Sequence, residues 1–168
     1  PVTGQTMRLC LLRHAEAHPA APGQPDAERS LTEAGWQVAR QMGEALRRIR
    51  LAPGAVYTSP YRRAVQTAQA VADALGVPVV EDRLLAPGCG PAELEALIQA
   101  YAPGETVLVV GHQPDFGELV RWLTGAAIRL PAGGLAVVET PALRERTGTL
   151  HGLYDPAWLA AVMTGRTG

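Results

Sequence analysis

Arg13 and His14 stand side by side at the end of a short apolar run, Leu9 to Leu12. A core does not want an arginine next to a histidine, but a phosphoryl group does. The guanidinium offers planar donors that match phosphoryl oxygens. Its charge also disfavours protonation of the neighbouring imidazole, so His14 is expected to be neutral near pH 7. A neutral imidazole is a nucleophile. A second polar group, Ser59-Pro60-Tyr61-Arg62-Arg63, follows the apolar stretch Ala55 to Thr58. A third, Gly111-His112-Gln113-Pro114, follows the β-branched run Thr106 to Val110. Arg62 and Arg63 open a helical pattern, where cations oppose the helix dipole unless an anion is bound.

The elements around these groups alternate. Leu9 to Leu12 reads as a buried strand. After a Pro/Ala/Gly-rich loop from Ala17 to Asp26, Ser30 or Thr32 starts a helix. Its apolar face is predicted at Ala34, Val38, Met42, Leu46 and Ile49. Arg47, Arg48 and Arg50 close that helix, where cations suit the dipole; a docking patch is the alternative role for this cluster. Ala55 to Thr58 is a second strand, with Ser59 as helix cap and Pro60 at the first helical position. That helix runs to Leu75 and ends at Gly76. Val77 to Val80 is a third strand, Arg83 to Gly90 a loop, and Pro91 to Tyr101 a helix. Thr106 to Val110, apolar on both faces, reads as a central parallel strand. A helix carrying Phe116, Leu119, Val120 and Leu123 follows. Gly134 to Thr140 and Thr147 to Tyr154 read as two further strands, and Asp155-Pro156 as the start of a last helix reaching Met163. This alternation predicts an α/β fold, a three-layer αβα sandwich on a mainly parallel sheet. In such a sheet the carboxyl ends of the parallel strands border the ligand crevice, which would bring His14, His112 and the arginine pair together.

Residues 1–168 are expected to form one domain, with residues 1–7 as an N-terminal segment outside it and Met7 as a candidate native start. That segment lacks a basic stretch followed by an apolar run, so no signal peptide is expected. No apolar run approaches membrane-spanning length. Hydrophobic residues make up 47% of the chain, enough to exclude a disordered polymer. The net charge of −1 argues against general binding to nucleic acid or to acidic membranes. All 15 basic residues are arginine, which excludes a lysine Schiff base or a Walker-type lysine. Cys10 lies in the first strand and Cys89 in a loop. Neither belongs to a zinc-spaced cluster, and no disulfide framework is suggested, so a reducing, cytoplasmic setting is expected.

Four ordered segments carry a family resemblance. They are Arg13-His14-Ala15-Glu16, the stretch Asp26-x-x-Arg29-x-Leu31-Thr32-x-x-Gly35, Ser59-Pro60-Tyr61-Arg62-Arg63-Ala64-Val65-Gln66-Thr67, and Val110-Gly111-His112-Gln113-Pro114. Over roughly residues 8 to 140 the chain resembles the histidine phosphatase superfamily, with its phosphoglycerate mutase-like fold. It is most similar to the bacterial phosphohistidine phosphatases. The resemblance implies that His14 takes the phosphoryl group while Arg13, Arg63 and His112 hold its oxygens. Arg63 takes the family role over Arg62 because it directly precedes Ala-x-Gln-Thr. No metal or cofactor is implied.

The chain departs from the family pattern at three places. Ala15 and Gln113 stand where glycine and asparagine are usual. Ala86 stands where many relatives carry a glutamate that serves as general acid, with Glu81 and Asp82 upstream as the possible substitutes. A missing acid matters least when the leaving group is imidazole, whose conjugate acid has a pKa of about 6.5. The leading expectation is therefore hydrolysis of phosphohistidine on a phosphorelay or phosphocarrier protein through a phosphohistidine intermediate on His14. A broad phosphomonoesterase acting on small phosphate esters is the nearest alternative. An inactive phosphate-binding module is the alternative of another class, and the intact His14 argues against it. Mutase activity is disfavoured by the missing acid.

Overall fold

The computed structural model describes residues 6–163 and Gly165. Its strands are β1 (Met7–Arg13), β2 (Val56–Thr58), β3 (Val79–Glu81), β4 (Thr106–Gly111), β5 (Leu135–Thr140) and β6 (Thr149–Tyr154). They form one sheet in the order β3-β2-β4-β1-β5-β6. The first four strands by sequence run parallel, β5 is antiparallel to β1, and β6 is antiparallel to β5. The helices are α1 (Glu33–Arg48), α2 (Arg62–Leu75), α3 (Pro91–Tyr101), α4 (Asp115–Thr124) and α5 (Pro156–Met163). Among the described residues no helix is long and apolar enough to cross a membrane. Residues 1–5 lie outside the described part. Met7, expected outside the fold, is instead the first residue of β1 and pairs with Thr140.

The strand period of two builds both cores. Leu9, Leu11, Val107 and Val109 face α3 and α4, packing with Leu94, Leu97, Phe116 and Leu119. The alternate residues Cys10, Leu12, Leu108 and Val110 pack with Met42, Leu46, Ala64 and Val71 from α1 and α2. The sheet is thus covered on both sides, which is why β1 and β4 read as unbroken apolar runs. Register then places the polar residues. Leu12 pairs with Val110 and Arg13 with Gly111. The ladder extends one step further, where the His14 amide donates to the Gly111 carbonyl at 3.0 Å. A one-residue slip would exchange the two faces and carry His14 away from His112.

Two local expectations are corrected. The buried face of α1 is Gly35, Ala39, Met42, Gly43 and Leu46, while Ala34 and Ile49 are exposed and Val38 is half-buried. Met42 and Leu46 are buried as expected, and the small residues Gly35, Ala39 and Gly43 complete the face where α1 packs closely on α2. A Cβ at Gly43 would lie 2.9 Å from the Cβ of Ala74 and 3.1 Å from the Ala70 carbonyl oxygen. The second correction concerns Ser59-Pro60. The helix begins at Arg62, two residues later than expected, with Tyr61 still extended at its N-cap. The end of α1 also acquires a simple account. Arg47 and Arg48 both pair with Glu44, at 2.8 Å each, on the helix surface.

Candidate active site

The site lies at the carboxyl ends of β1, β2 and β4. His14 follows the last residue of β1. Its Nδ1 lies 2.8 Å from the carbonyl oxygen of Ala15. A carbonyl only accepts, so Nδ1 carries the proton and Nε2 keeps its lone pair. That lone pair receives a hydrogen bond from Nε of Arg63 at 3.1 Å. Burial first, and then the guanidiniums of Arg63 and Arg13, push the His14 pKa down to about 4, against the pull of the Ala15 carbonyl. The charge of Arg13 does act in the expected direction, but burial is the larger cause.

Arg63, the second residue of α2, is only 5% exposed, whereas Arg62 is exposed. The distal nitrogens of Arg63 turn to Asp26. Nη1 donates to its backbone oxygen at 2.8 Å and Nη2 to its carboxylate at 3.0 Å. Thr67, one turn along α2, ties this helix to β1. Its hydroxyl donates to the Arg63 carbonyl at 2.7 Å and accepts the Ala15 amide at 3.1 Å. The spacing of four residues from Arg63 is the signal that could have found it.

Arg13 leans toward the loop before β5, where Nη1 donates to the Leu130 carbonyl at 2.8 Å. Its Nε is buried and has no acceptor. A buried N–H without an acceptor is rare, and a bound oxyanion would satisfy it. His112 follows β4 and is 4% exposed. Its ring meets that of His14 at 5.3 Å between centroids in an edge-on arrangement. Burial, then His14 and Arg63, push its pKa down to about 3. Its Nε2 lies 2.8 Å from Oγ of Ser59, which also accepts the Tyr61 amide. Ser59, expected to cap a helix, therefore fixes the ring of His112. Tyr61 walls the site, with its ring 5.2 Å from that of His112 and 5.0 Å from the Arg63 guanidinium.

The structure brings together Arg13, His14, Arg63 and His112. It does not bring Glu81 or Asp82 to them. Asp82 caps the turn after β3 by accepting the Leu84 amide at 2.9 Å, and it accepts the Tyr101 hydroxyl at 2.8 Å. Glu81 is exposed at the end of the edge strand β3, three strands from β1 or about 14 Å. Gln113 accepts the Gly117 amide and so serves α4. Among the described residues no group of three or more His, Cys, Asp or Glu side chains could hold a metal ion. What the cluster offers is a neutral imidazole whose lone pair faces the Arg63 Nε–H, with Arg13 and His112 close by, an arrangement suited to receiving an electrophile that carries several negative oxygens.

Residues 9–87 match the family model of the histidine phosphatase superfamily (branch 1), a span that holds Arg13, His14 and Arg63. The chain is 31% identical over 163 residues to an uncharacterised protein of Picosynechococcus, covering 91% of this chain and 99% of that one. It is 32% identical over 123 residues to the phosphohistidine phosphatase SixA of Escherichia coli, covering 70% of this chain and 74% of the relative. A solved structure of the protein histidine phosphatase SixA complexed with tungstate superposes with a TM-score of 0.76 at 29% identity, covering 91% of this chain and 99% of that one.

Proposed function

The chain belongs to the histidine phosphatase superfamily, and from that premise we propose that it hydrolyses phosphohistidine on a phosphorelay or phosphocarrier protein. In this mechanism Nε2 of His14 attacks phosphorus in line. The new P–N bond forms as the substrate's own P–N bond breaks, and the substrate imidazole leaves with the electron pair and takes up a proton. A water molecule then attacks the phosphorus on His14. That P–N bond breaks, phosphate departs, and the water proton is lost to solvent. Arg13, Arg63 and His112 hold the phosphoryl oxygens through both steps.

The observation that carries this reading is the lone pair of His14 Nε2, pointed at the Arg63 Nε–H, together with the buried, unsatisfied Nε of the adjacent residue Arg13. The leaving group follows from the carboxylates. Asp26 is the only carboxylate paired with either site arginine among the described residues. Arg29 and Arg63 hold its pKa below the usual range, so it has no proton to give near pH 7. A phosphoramidate needs that proton least.

The test sets a phosphohistidine protein, a free phosphoramidate, para-nitrophenyl phosphate and an alkyl phosphate side by side, with wild type and His14→Ala. Preferred turnover of the phosphoramidates, an acid-labile phosphoenzyme in wild type and its loss in the variant are expected. A preference for alkyl phosphates would favour the small-ester phosphatase. Anion binding without turnover would mark an inactive module.

A further inference from the structure

Asp26 belongs to the Asp-x-x-Arg-x-Leu-Thr-x-x-Gly stretch, whose first half the mechanism above leaves unused. We infer that Asp26 is a positioning residue that acts through Arg63: it sets the rotation of that guanidinium so that Nε, and not a distal nitrogen, faces the reacting nitrogen of His14. The inference rests on the functional reading just given.

Arg63 is gripped at both ends. Nε meets His14 at 3.1 Å, while Nη1 and Nη2 meet the backbone oxygen and carboxylate of Asp26 at 2.8 and 3.0 Å. The side chain of Arg63 is 7% exposed, yet that of Asp26 is 56% exposed. The anchor is therefore applied from the solvent side, where a carboxylate is cheap to keep charged, onto a cation that is not. Asp26 is itself held. Nη1 of Arg29 donates to its other carboxylate oxygen at 3.0 Å, and Nε of Arg29 donates to the His18 carbonyl at 2.7 Å. The backbone around it closes into a single 3-10 turn, Asp26–Glu28. A chain of contacts thus runs from the loop after β1 to the lone pair of His14. Without the carboxylate only the backbone oxygen holds the distal end, and the guanidinium is free to turn. Misplacing a transition-state donor by about 1 Å can cost about 10²-fold in rate, while ground-state binding by the remaining cations persists.

The test compares Asp26→Ala with Asp26→Asn, whose amide oxygen still accepts from Arg63 but carries no charge. On the phosphohistidine substrate, Asp26→Ala is expected to lower kcat at least about tenfold with KM within about threefold, and to weaken vanadate binding in parallel. Asp26→Asn is expected to restore most of the loss. In an Arg63→Ala background, Asp26→Ala should cost less than about twofold more, because the partner it acts through is gone. Wild-type kcat in Asp26→Ala overturns the inference. So does an Asn variant as slow as the Ala variant, or effects of the two substitutions that simply multiply. If Asp26→Ala proves unstable, Arg29→Ala, which frees one carboxylate oxygen without touching Arg63, must still lower kcat; unchanged kcat there also overturns it. The outcomes separate from those of the functional reading. Turnover retained in His14→Ala defeats that reading, whereas turnover lost in His14→Ala but retained in Asp26→Ala defeats only the role of Asp26.

Discussion

Nε of Arg63 donates to Nε2 of His14 across 3.1 Å, so this arginine lies in the direction from which phosphorus would arrive. In the proposed mechanism substrate binding breaks this hydrogen bond and hands the Nε–H to a phosphoryl oxygen. The exchange is favourable because a guanidinium bonds an anionic oxygen more strongly than a neutral nitrogen. The same contact keeps the lone pair of His14 directed before substrate arrives. One donor thus serves nucleophile and substrate in turn.

The two adjacent arginines should therefore differ sharply. Arg63 is buried against His14, while Arg62 is exposed and makes no ion pair among the described residues. Arg63→Ala is expected to lower kcat/KM by about 10² to 10³, the usual cost of removing one transition-state donor. Arg62→Ala should stay within about twofold on the same aryl phosphate. Equal losses in steady-state kinetics would remove the distinction.

Both site histidines should resist protonation. His14 is held to a pKa of about 4 and His112 to about 3, each by burial first. In an unfolded chain both return to the ordinary value of about 6.5. Below that value the unfolded chain binds protons that the folded chain does not, so stability rises with pH. Their contribution is complete above about pH 6.5 and is lost as pH falls from there through about 4 and 3. Ring resonances followed by NMR should show no inflection near pH 6.5 for either residue. The urea midpoint should fall with acid over the same window, and less steeply in His14→Gln.

The parts of the site that can be read from sequence are those set by strand burial. An unbroken apolar run that ends on Arg13-His14 must be a buried strand with its polar end at the crest, and the same logic places His112 after β4. What escapes such reading depends on partners far along the chain. Ser59-Pro60 has the local form of a helix start, but its hydroxyl belongs to His112, 53 positions later. Asp26 looks like a loop residue until Arg63, 37 positions later, is folded onto it. Hydrophobic periodicity also misreads α1, because it gives no weight to Gly35 and Gly43, the residues that permit close approach.

Gly35 supports a prediction of its own. Thr32 caps α1 by accepting the Gly35 amide at 2.9 Å, and the Thr32 amide donates to the Glu16 carbonyl at 3.0 Å. A Cβ at Gly35 would run into that same Glu16 carbonyl oxygen. The obstacle is backbone, two residues beyond His14, and cannot swing aside. Gly35→Ala is expected to cost about 1 to 3 kcal/mol of stability despite the better helix propensity of alanine. It should also lower kcat by shifting the segment that carries His14. Gly54→Ala, with nothing within 4 Å of the added carbon, should be close to neutral in both measurements. Urea unfolding and steady-state kinetics on the two variants check this.

The leaving group provides the last prediction. Ala86 lies in the loop after β3, at the position where the family resemblance leads one to expect a glutamate, and Gly88 ties that loop to Asp115 at the start of α4. Asp82 is occupied by Leu84 and Tyr101, and Glu81 ends an edge strand. Asp26 is held ionised by Arg29 and Arg63. None of these three carboxyl groups is thus placed to protonate a departing alkoxide. General acid catalysis is typically worth about 10² to 10⁴ in rate, or about 3 to 5 kcal/mol of barrier. Alkyl phosphates should lag behind phosphoramidates and aryl phosphates by an amount in that range. Ala86→Glu should raise turnover of alkyl phosphates, provided the new carboxyl reaches the leaving oxygen, and should change phosphohistidine hydrolysis little, because imidazole departs without that help. Glu81→Gln should be nearly silent on every substrate. Asp82→Asn should alter stability, through its cap and its bond to Tyr101, more than rate. A large loss of alkyl ester hydrolysis in either variant would mean that an acid reaches the site after all, and phosphate esters would then replace phosphohistidine as the preferred substrate class.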